Sequence, residues 1–131
     1  MHVAINTADP RPIYVQIMDE VRRAIVLQAL RPEDPLPSVR QMATDLRLNP
    51  NTVAQAYREL ERDGVVYVRR GQGTFVAQSR AANGDGRRAL ARSVAERALL
   101  DAHRSGIGAE ELIEAIHEMA ARDLSTHAEP S

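Results

Sequence analysis

Along the first half of the chain, apolar residues recur at helical spacing three times and then give way to a strand-like run. Ile13, Ile17, Val21, Ala24 and Ile25 share one face of a helix expected from Ile13 to about Leu30. Val39, Met42, Ala43 and Leu46 form a second stripe, and Val53, Ala56, Tyr57 and Leu60 a third. Val65-Val66-Tyr67-Val68-Arg69 and Thr74-Phe75-Val76 are rich in β-formers and flank Arg70-Gly71-Gln72-Gly73, whose glycines permit a tight reversal.

The punctuation agrees with the stripes. Pro12 suits a first helical position, and Arg31-Pro32-Glu33-Asp34-Pro35 breaks the first helix. Ser38, with Gln41 three residues later, makes a capping box. Asn49 caps the third helix with Pro50 behind it, and Gly64 ends that helix where a left-handed residue is wanted. A helix, two helices joined by a tight turn and then a hairpin make a winged helix-turn-helix. That shape places one helix in the DNA major groove.

Residues 1–78 are therefore expected to form a winged DNA-binding domain. Residues 79–88, small, polar and Gly-containing, read as a linker. Two further helices are expected over 89–124, marked by Leu90, Val94, Ala98 and Leu99 and then by Leu112, Ile113, Ile116 and Met119, with a disordered tail over 125–131. The fold class is mainly α with a small β-hairpin. Two such helices have too little core to stand alone, so a second copy is the simplest partner. Leu90, Val94, Leu99, Leu112, Ile116 and Met119 are the candidate dimer interface.

With its apolar stripe inward, the third helix offers Asn51, Thr52, Gln55, Arg58 and Arg62 outward. Asn and Gln amides can donate and accept at adenine together, and Thr can meet a thymine methyl or a phosphate. Arg58 lies further along and suits a phosphate. Ser38 and Arg40 open the preceding helix, where free N–H groups favour an anion. Asn49 opens the recognition helix, and Arg69, Arg70, Gly71, Gln72 and Gly73 make the tip of the wing, where glycines let backbone approach a groove.

Bulk properties narrow the alternatives. The 131 residues contain no Cys and no Lys, so thiolate metal sites and lysine chemistry are absent and every long cation is a planar guanidinium. No apolar run reaches the roughly 18 residues of a membrane span, and residues 1–12 do not have the pattern of a signal peptide, so a cytoplasmic setting is expected. The net charge is −1, with ten arginines against nine carboxylates up to residue 79 and seven against nine beyond. Affinity for DNA must come from local placement of arginines. No Ser sits in a G-x-S-x-G elbow and the four histidines are scattered, so the chain is read as a non-enzyme without cofactor. Glu114 and His117 form one isolated i, i+3 pair, read as solvated, so no metal is expected. The competing class is a winged helix that binds protein instead of DNA; it would need an exposed apolar patch where Asn51, Thr52, Gln55 and Arg58 stand.

Pro12-Ile13-Tyr14-Val15-Gln16-Ile17, Leu36-Pro37-Ser38-Val39-Arg40, Asn51-Thr52-Val53, Leu60-Glu61-Arg62-Asp63-Gly64 and Gly71-Gln72-Gly73-Thr74-Phe75-Val76, in that order, resemble the GntR family of bacterial transcription regulators. Leu36–Arg40 with Asn49-Pro50-Asn51-Thr52-Val53 and Ala56-Tyr57 is most similar to the short YtrA-type subfamily, which carries two helices after the winged domain. The resemblance implies a repressor that binds a palindromic operator as a homodimer, with DNA contacts at Ser38, Arg40, Asn51, Thr52, Gly71 and Gly73. It implies no room for a separate effector domain, so a small-molecule effector would have to sit at the dimer seam. Two departures are visible. Glu33 stands where many members have Gly before the Asp, and Pro50 and Ala54 stand where many carry arginines.

Overall fold

The computed structural model describes residues 3–78 and 84–127. Its elements run α1 (Ile13–Val26), α2 (Val39–Leu46), α3 (Pro50–Arg62), β1 (Val66–Arg69), β2 (Gly73–Val76), α4 (Gly84–Arg104) and α5 (Ala109–His127). The chain divides into two compact units, Met1–Val94 and Ala95–Ser131.

In the first unit the three stripes meet. Ile17, Val21, Val53, Leu60, Val65 and Val76 are sealed from solvent, with Met42, Ala43, Ala56 and Tyr57 around them. α3 is the hub, packing against α1, α2 and β1. Its Tyr57 hydroxyl donates to the Pro37 carbonyl at 2.6 Å, tying α3 to the residue before the α2 cap, and burial pushes the phenol pKa well above its ordinary value. β1 and β2 pair antiparallel, Val66 opposite Val76 and Arg69 opposite Gly73. The segment before α2 lies along the other edge of β2, where Glu33 N–H donates to Val76, Val76 N–H to Asp34 and Leu36 N–H to Thr74. The hairpin thus has no bare edge on that side.

Three boundaries differ from the sequence reading. α1 ends at Val26, not near Leu30, because Gln28 turns left-handed (φ 62°) and the N–H groups of Ala29 and Leu30 both return to the Ala24 carbonyl. Leu30 then folds back into the core. α4 begins at Gly84, so residues 84–88 of the expected linker are helical, with Asp85 in the first turn where the helix dipole favours a carboxylate. Residues 79–83 lie outside the described residues. α5 runs through His127, so residues 125–127 of the expected tail are helical and 128–131 lie outside the described residues.

The first unit also reaches past the winged domain to Val94, and a buried polar cluster explains why. Arg11 forks onto Asp9 and Asp19, each at 2.8 Å, with side chains almost wholly enclosed. Its second nitrogen donates to the Ser93 hydroxyl at 2.6 Å and to the Ser93 carbonyl at 3.1 Å, and the hydroxyl donates on to Asp19 at 2.6 Å. The bond to Asp9 and the two carboxylate charges hold the guanidinium more firmly protonated than usual. No buried side-chain polar atom lacks a partner among the described residues. The first turns of α4 are thereby fastened to the arm before α1 and to α1 itself.

Ser93→Ala should therefore cost about 1–3 kcal/mol, the value of charge-assisted hydrogen bonds, despite placing a better helix former on a helix. Urea unfolding of the two chains measures it. Equal midpoints would mean that the cluster holds nothing.

Candidate nucleic-acid interface

Both N-caps read from sequence form, but the capping box at Ser38 is only half closed, because the Gln41 side chain donates to Asp45 Oδ1 at 2.8 Å instead of returning to the Ser38 N–H. Ser38 Oγ accepts from Gln41 N–H at 3.0 Å and Asn49 Oδ1 accepts from Asn51 N–H at 2.8 Å. Gly64 takes φ 76° and closes α3, with Val65 N–H donating to Leu60 and Gly64 N–H to Glu61. α2 closes on Arg47 in the left-handed region (φ 56°), and Leu48 N–H returns to Ala43, which sets the turn into α3.

These constraints fix the outward face of α3. Asn51, Gln55 and Arg58 are exposed and Thr52 is half-buried. Among the described residues their side chains have no hydrogen bond or ion pair, so the amides and guanidinium are free to meet a ligand. Arg62, further along, reaches back to Glu59 at 3.5 Å. Ser38 and Arg40 are exposed at the start of α2; the Ser38 oxygen is engaged as a cap, but its hydroxyl proton remains available to an acceptor. Asn49 is likewise exposed with its oxygen engaged in capping, which leaves its amide N–H groups as donors.

At the wing, Gln72 N–H donates to the Arg69 carbonyl at 2.9 Å, and Gly71 (φ 78°) and Gly73 (φ 120°) make the reversal. A Cβ on either would meet open space, so backbone conformation alone requires glycine there. Arg70 and Gln72 are exposed.

Arg69 is placed differently from its neighbour. Its guanidinium lies 4.0 Å from the Phe75 ring centre, pairs with Glu33 and donates to the Tyr67 hydroxyl at 2.9 Å. Tyr67 donates to the same Glu33 carboxylate, and Gln78 Nε2 donates to its other oxygen at 3.2 Å. Arg69 is thus engaged inside the protein, and the expectation of a DNA contact there has to reckon with Glu33 as a competitor. Glu33 itself adopts φ 73°, the left-handed conformation that glycine would take at the same place. The Glu33 side chain is clasped in this loop by Tyr67, Arg69 and Gln78. Sequence reading noted Glu33 only as a departure where many relatives carry Gly, a hint of the left-handed backbone found here, and missed its side chain as a partner of Tyr67 and Arg69.

The apolar residues predicted for an interface fall in both units. Leu90 and Val94 belong to the first, the former half-buried and the latter exposed. In the second unit Leu99, Ile116 and Met119 are exposed and Leu112 is half-buried; Leu100, Ile107 and Ile113 are also exposed. Gly106 (φ 75°) ends α4, with Ile107 N–H donating to Ala102 and Gly106 N–H to His103. Gly108 N–H then donates to Glu111 Oε1 at 3.2 Å to open α5.

The hydrogen bond from Tyr67, with Arg69 and Gln78 behind it, holds the Glu33 carboxyl below its ordinary value of 4.5. A depressed carboxyl stabilises the fold above its unfolded pKa and loses that contribution as pH falls through the folded one. The Tyr67 and Phe75 ring resonances should therefore hold steady from neutral pH to about 4.5 and move only below it. In Glu33→Gln this acid-dependent movement should vanish; rings that shift above that pH, or shift unchanged in the variant, would sink the clasp.

Comparison with known proteins agrees with this geometry. The family model "Bacterial regulatory proteins, gntR family" matches residues 13–76. The transcriptional repressor YtrA of Bacillus subtilis is 38% identical over 86% of this chain and 90% of its own. The uncharacterized transcriptional regulator YhcF of the same organism is 42% identical over 81% of this chain and 88% of its own. A solved GntR family transcriptional regulator from Listeria monocytogenes superposes with a TM-score of 0.61 at 32% identity, covering 84% of this chain and 96% of that one.

Proposed function

Because the chain belongs to the gntR family of bacterial regulatory proteins, we propose that it is a transcriptional repressor that binds a palindromic operator as a homodimer. The observation that carries this reading is the outward face of α3. Asn51, Gln55 and Arg58 stand exposed with unengaged polar groups, beside two helix N-termini capped by Ser38 and Asn49. Asn51, Thr52 and Gln55 at the entering end would read base edges. Arg58, Arg40 and Arg70 would meet phosphates, with Ser38 and the Gly71–Gly73 backbone completing the contact. Among the described residues no large apolar side chain stands exposed on α3, which disfavours a protein-binding role for this helix, although Val68 on β1 is exposed.

A second copy supplies what one copy lacks. Leu99, Ile116 and Met119 are 44%, 51% and 67% exposed, far from the burial that large apolar side chains reach in a finished core. A two-fold partner covering them would bring two recognition helices to half-sites about 34–36 Å apart. Repression then follows from occupying promoter DNA. Among the described residues no helix is long and apolar enough to cross a membrane. By analogy with its regulator relatives the chain is read as a non-enzyme acting in the cytoplasm.

Selection of bound fragments from random DNA tests the whole reading, since it returns a symmetric site or none. On that site, Asn51→Ala should lose about 1–3 kcal/mol of discrimination at one base pair in each half. An equal loss on random duplex would mean that Asn51 only positions the helix.

For the dimer, the paired change Ile116→Glu and Met119→Glu should halve the mass seen in sedimentation and weaken operator binding. Both side chains are exposed in the single chain, so the fold should survive. A variant that still sediments as a dimer would remove α5 from the interface.

A further inference from the structure

A groove runs between the end of α1 and the first turns of α4, inside the first unit. Its wider part, about 450 Å³, lies against Ile25, Val26, Leu30 and Pro32. A second stretch of about 350 Å³ continues from it along Leu90, Ala91 and Val94, and the two share Val26 and Arg87. Each is within the size range of small-molecule sites. Neither stretch is large enough to take a folded partner.

The rim is cationic. Arg31 and Arg87 both line the wider part, both are exposed, and neither guanidinium has an ion pair or hydrogen bond among the described residues. Elsewhere in the same unit Arg11, Arg22, Arg23, Arg62 and Arg69 are each matched to a carboxylate, and Arg40, Arg58 and Arg70, unpaired among the described residues, belong to the proposed DNA face. The dipoles of α1, whose carboxyl end faces this region, and of α4, whose amino end does, carry opposite partial charges of about half a unit and offset each other. Two guanidiniums without an ion pair remain above an aliphatic floor, with the Asp34 carboxylate on the Arg31 side accepting from the Arg31 backbone N–H at 2.9 Å.

We propose that this groove binds a small amphiphilic anion, a carboxylate or phosphate ester with a short aliphatic body. The head group would bridge Arg31 and Arg87, and the body would lie on Val26, Leu90 and Val94. A planar guanidinium suits either oxyanion. The effector pocket expected from sequence lay at the dimer seam; this groove is complete within a single chain. An occupant touches α1 and α4 together, and α4 is the element through which the chain passes from the first unit to the second. An effector role rests on the repressor reading above, whereas binding itself does not depend on DNA.

The test is an NMR titration of the full chain without DNA. Octanoate and hexyl phosphate are the probes, with 1-octanol and inorganic phosphate as controls. One or both probes should give saturable shifts at the Val26, Leu90 and Val94 methyl groups, and whichever binds identifies the head group. The double variant Arg31→Gln, Arg87→Gln should weaken that binding about fivefold or more, in line with exposed ion pairs, and leave any octanol shifts unchanged. Both side chains are exposed and unpaired, so the variant should fold, as circular dichroism would verify. Absence of saturable shifts, octanol binding as tightly as octanoate, or inorganic phosphate matching both probes would each overturn the proposal. A double variant that loses operator affinity in the absence of any probe would make these arginines DNA contacts and overturn it as well. A chain that binds the probes but no DNA would leave this site standing and defeat the repressor reading instead.

Discussion

Everything the winged unit presents outward depends on burying Val53, Ala56, Tyr57 and Leu60 on one side of α3. Val53, Ala56 and Leu60 are sealed completely by their neighbours on α1, α2 and β1, and rotating the helix to expose them would cost about 1.5–3 kcal/mol for each large side chain. Since a helix face is fixed once its opposite is buried, Asn51, Gln55 and Arg58 have one direction available. The Tyr57 hydroxyl on Pro37 and the left-handed Arg47 then set how α2 meets α3. Recognition chemistry is in this sense a by-product of apolar packing. The residues that would read DNA contribute nothing to the core that aims them.

Polar clasps do what the core is too small to do. Arg11, with Asp9, Asp19 and Ser93, joins residues that are far apart in sequence, and Glu33 does the same for the loop and the wing. The two differ in environment. The Arg11 cluster is nearly dry, so removing one member would strand charge in a place where water cannot reach it. The Glu33 cluster is more than one-third exposed at both charged ends, so its electrostatic worth is screened and much of its hold must come from the Arg69 guanidinium over the Phe75 ring. One clasp contributes to stability, while the other chiefly orients the wing.

What was legible in the sequence was what repeats. Stripes, caps and glycine stops are local rules, and they predicted every element from α1 to β2, the caps at Ser38 and Asn49 and the left-handed Gly64. What was not legible depends on residues distant in sequence. Ser93 sits eighty-two positions from Arg11, and nothing in its neighbours marks it as a partner. Gln28, Glu33 and Arg47 take a conformation that glycine favours without being glycine, so composition could not reveal that α1 would stop early or that the Glu33 loop would close over the wing. Part of the expected linker is helix for a related reason. Gly84 and Gly86 resemble spacer, but Arg87 to Ala91 are good helix formers and, once α4 is fastened at Ser93, the helix extends backward through them.

The same contacts resolve the weak overall charge. Counted along the sequence, arginines and carboxylates nearly cancel, which argues against a polyanionic partner. Counted by contact, the cancellation is uneven. Asp9 and Asp19 are taken by Arg11, Asp63 by Arg22, Glu20 by Arg23, Glu59 by Arg62 and Glu33 by Arg69. Arg40, Arg58 and Arg70 are left without a carboxylate among the described residues. Coulomb attraction to a phosphate a few ångströms away is governed by these local charges, because solvent and salt screen the rest within about 10 Å. The three unpaired guanidiniums on the proposed DNA face would release about three counterions per subunit on binding, doubled in a dimer, and that is a usual complement for an operator-binding protein. A chain of net charge −1 can therefore carry a DNA-binding face, since six of the nine carboxylates up to residue 79 are already paired with arginines.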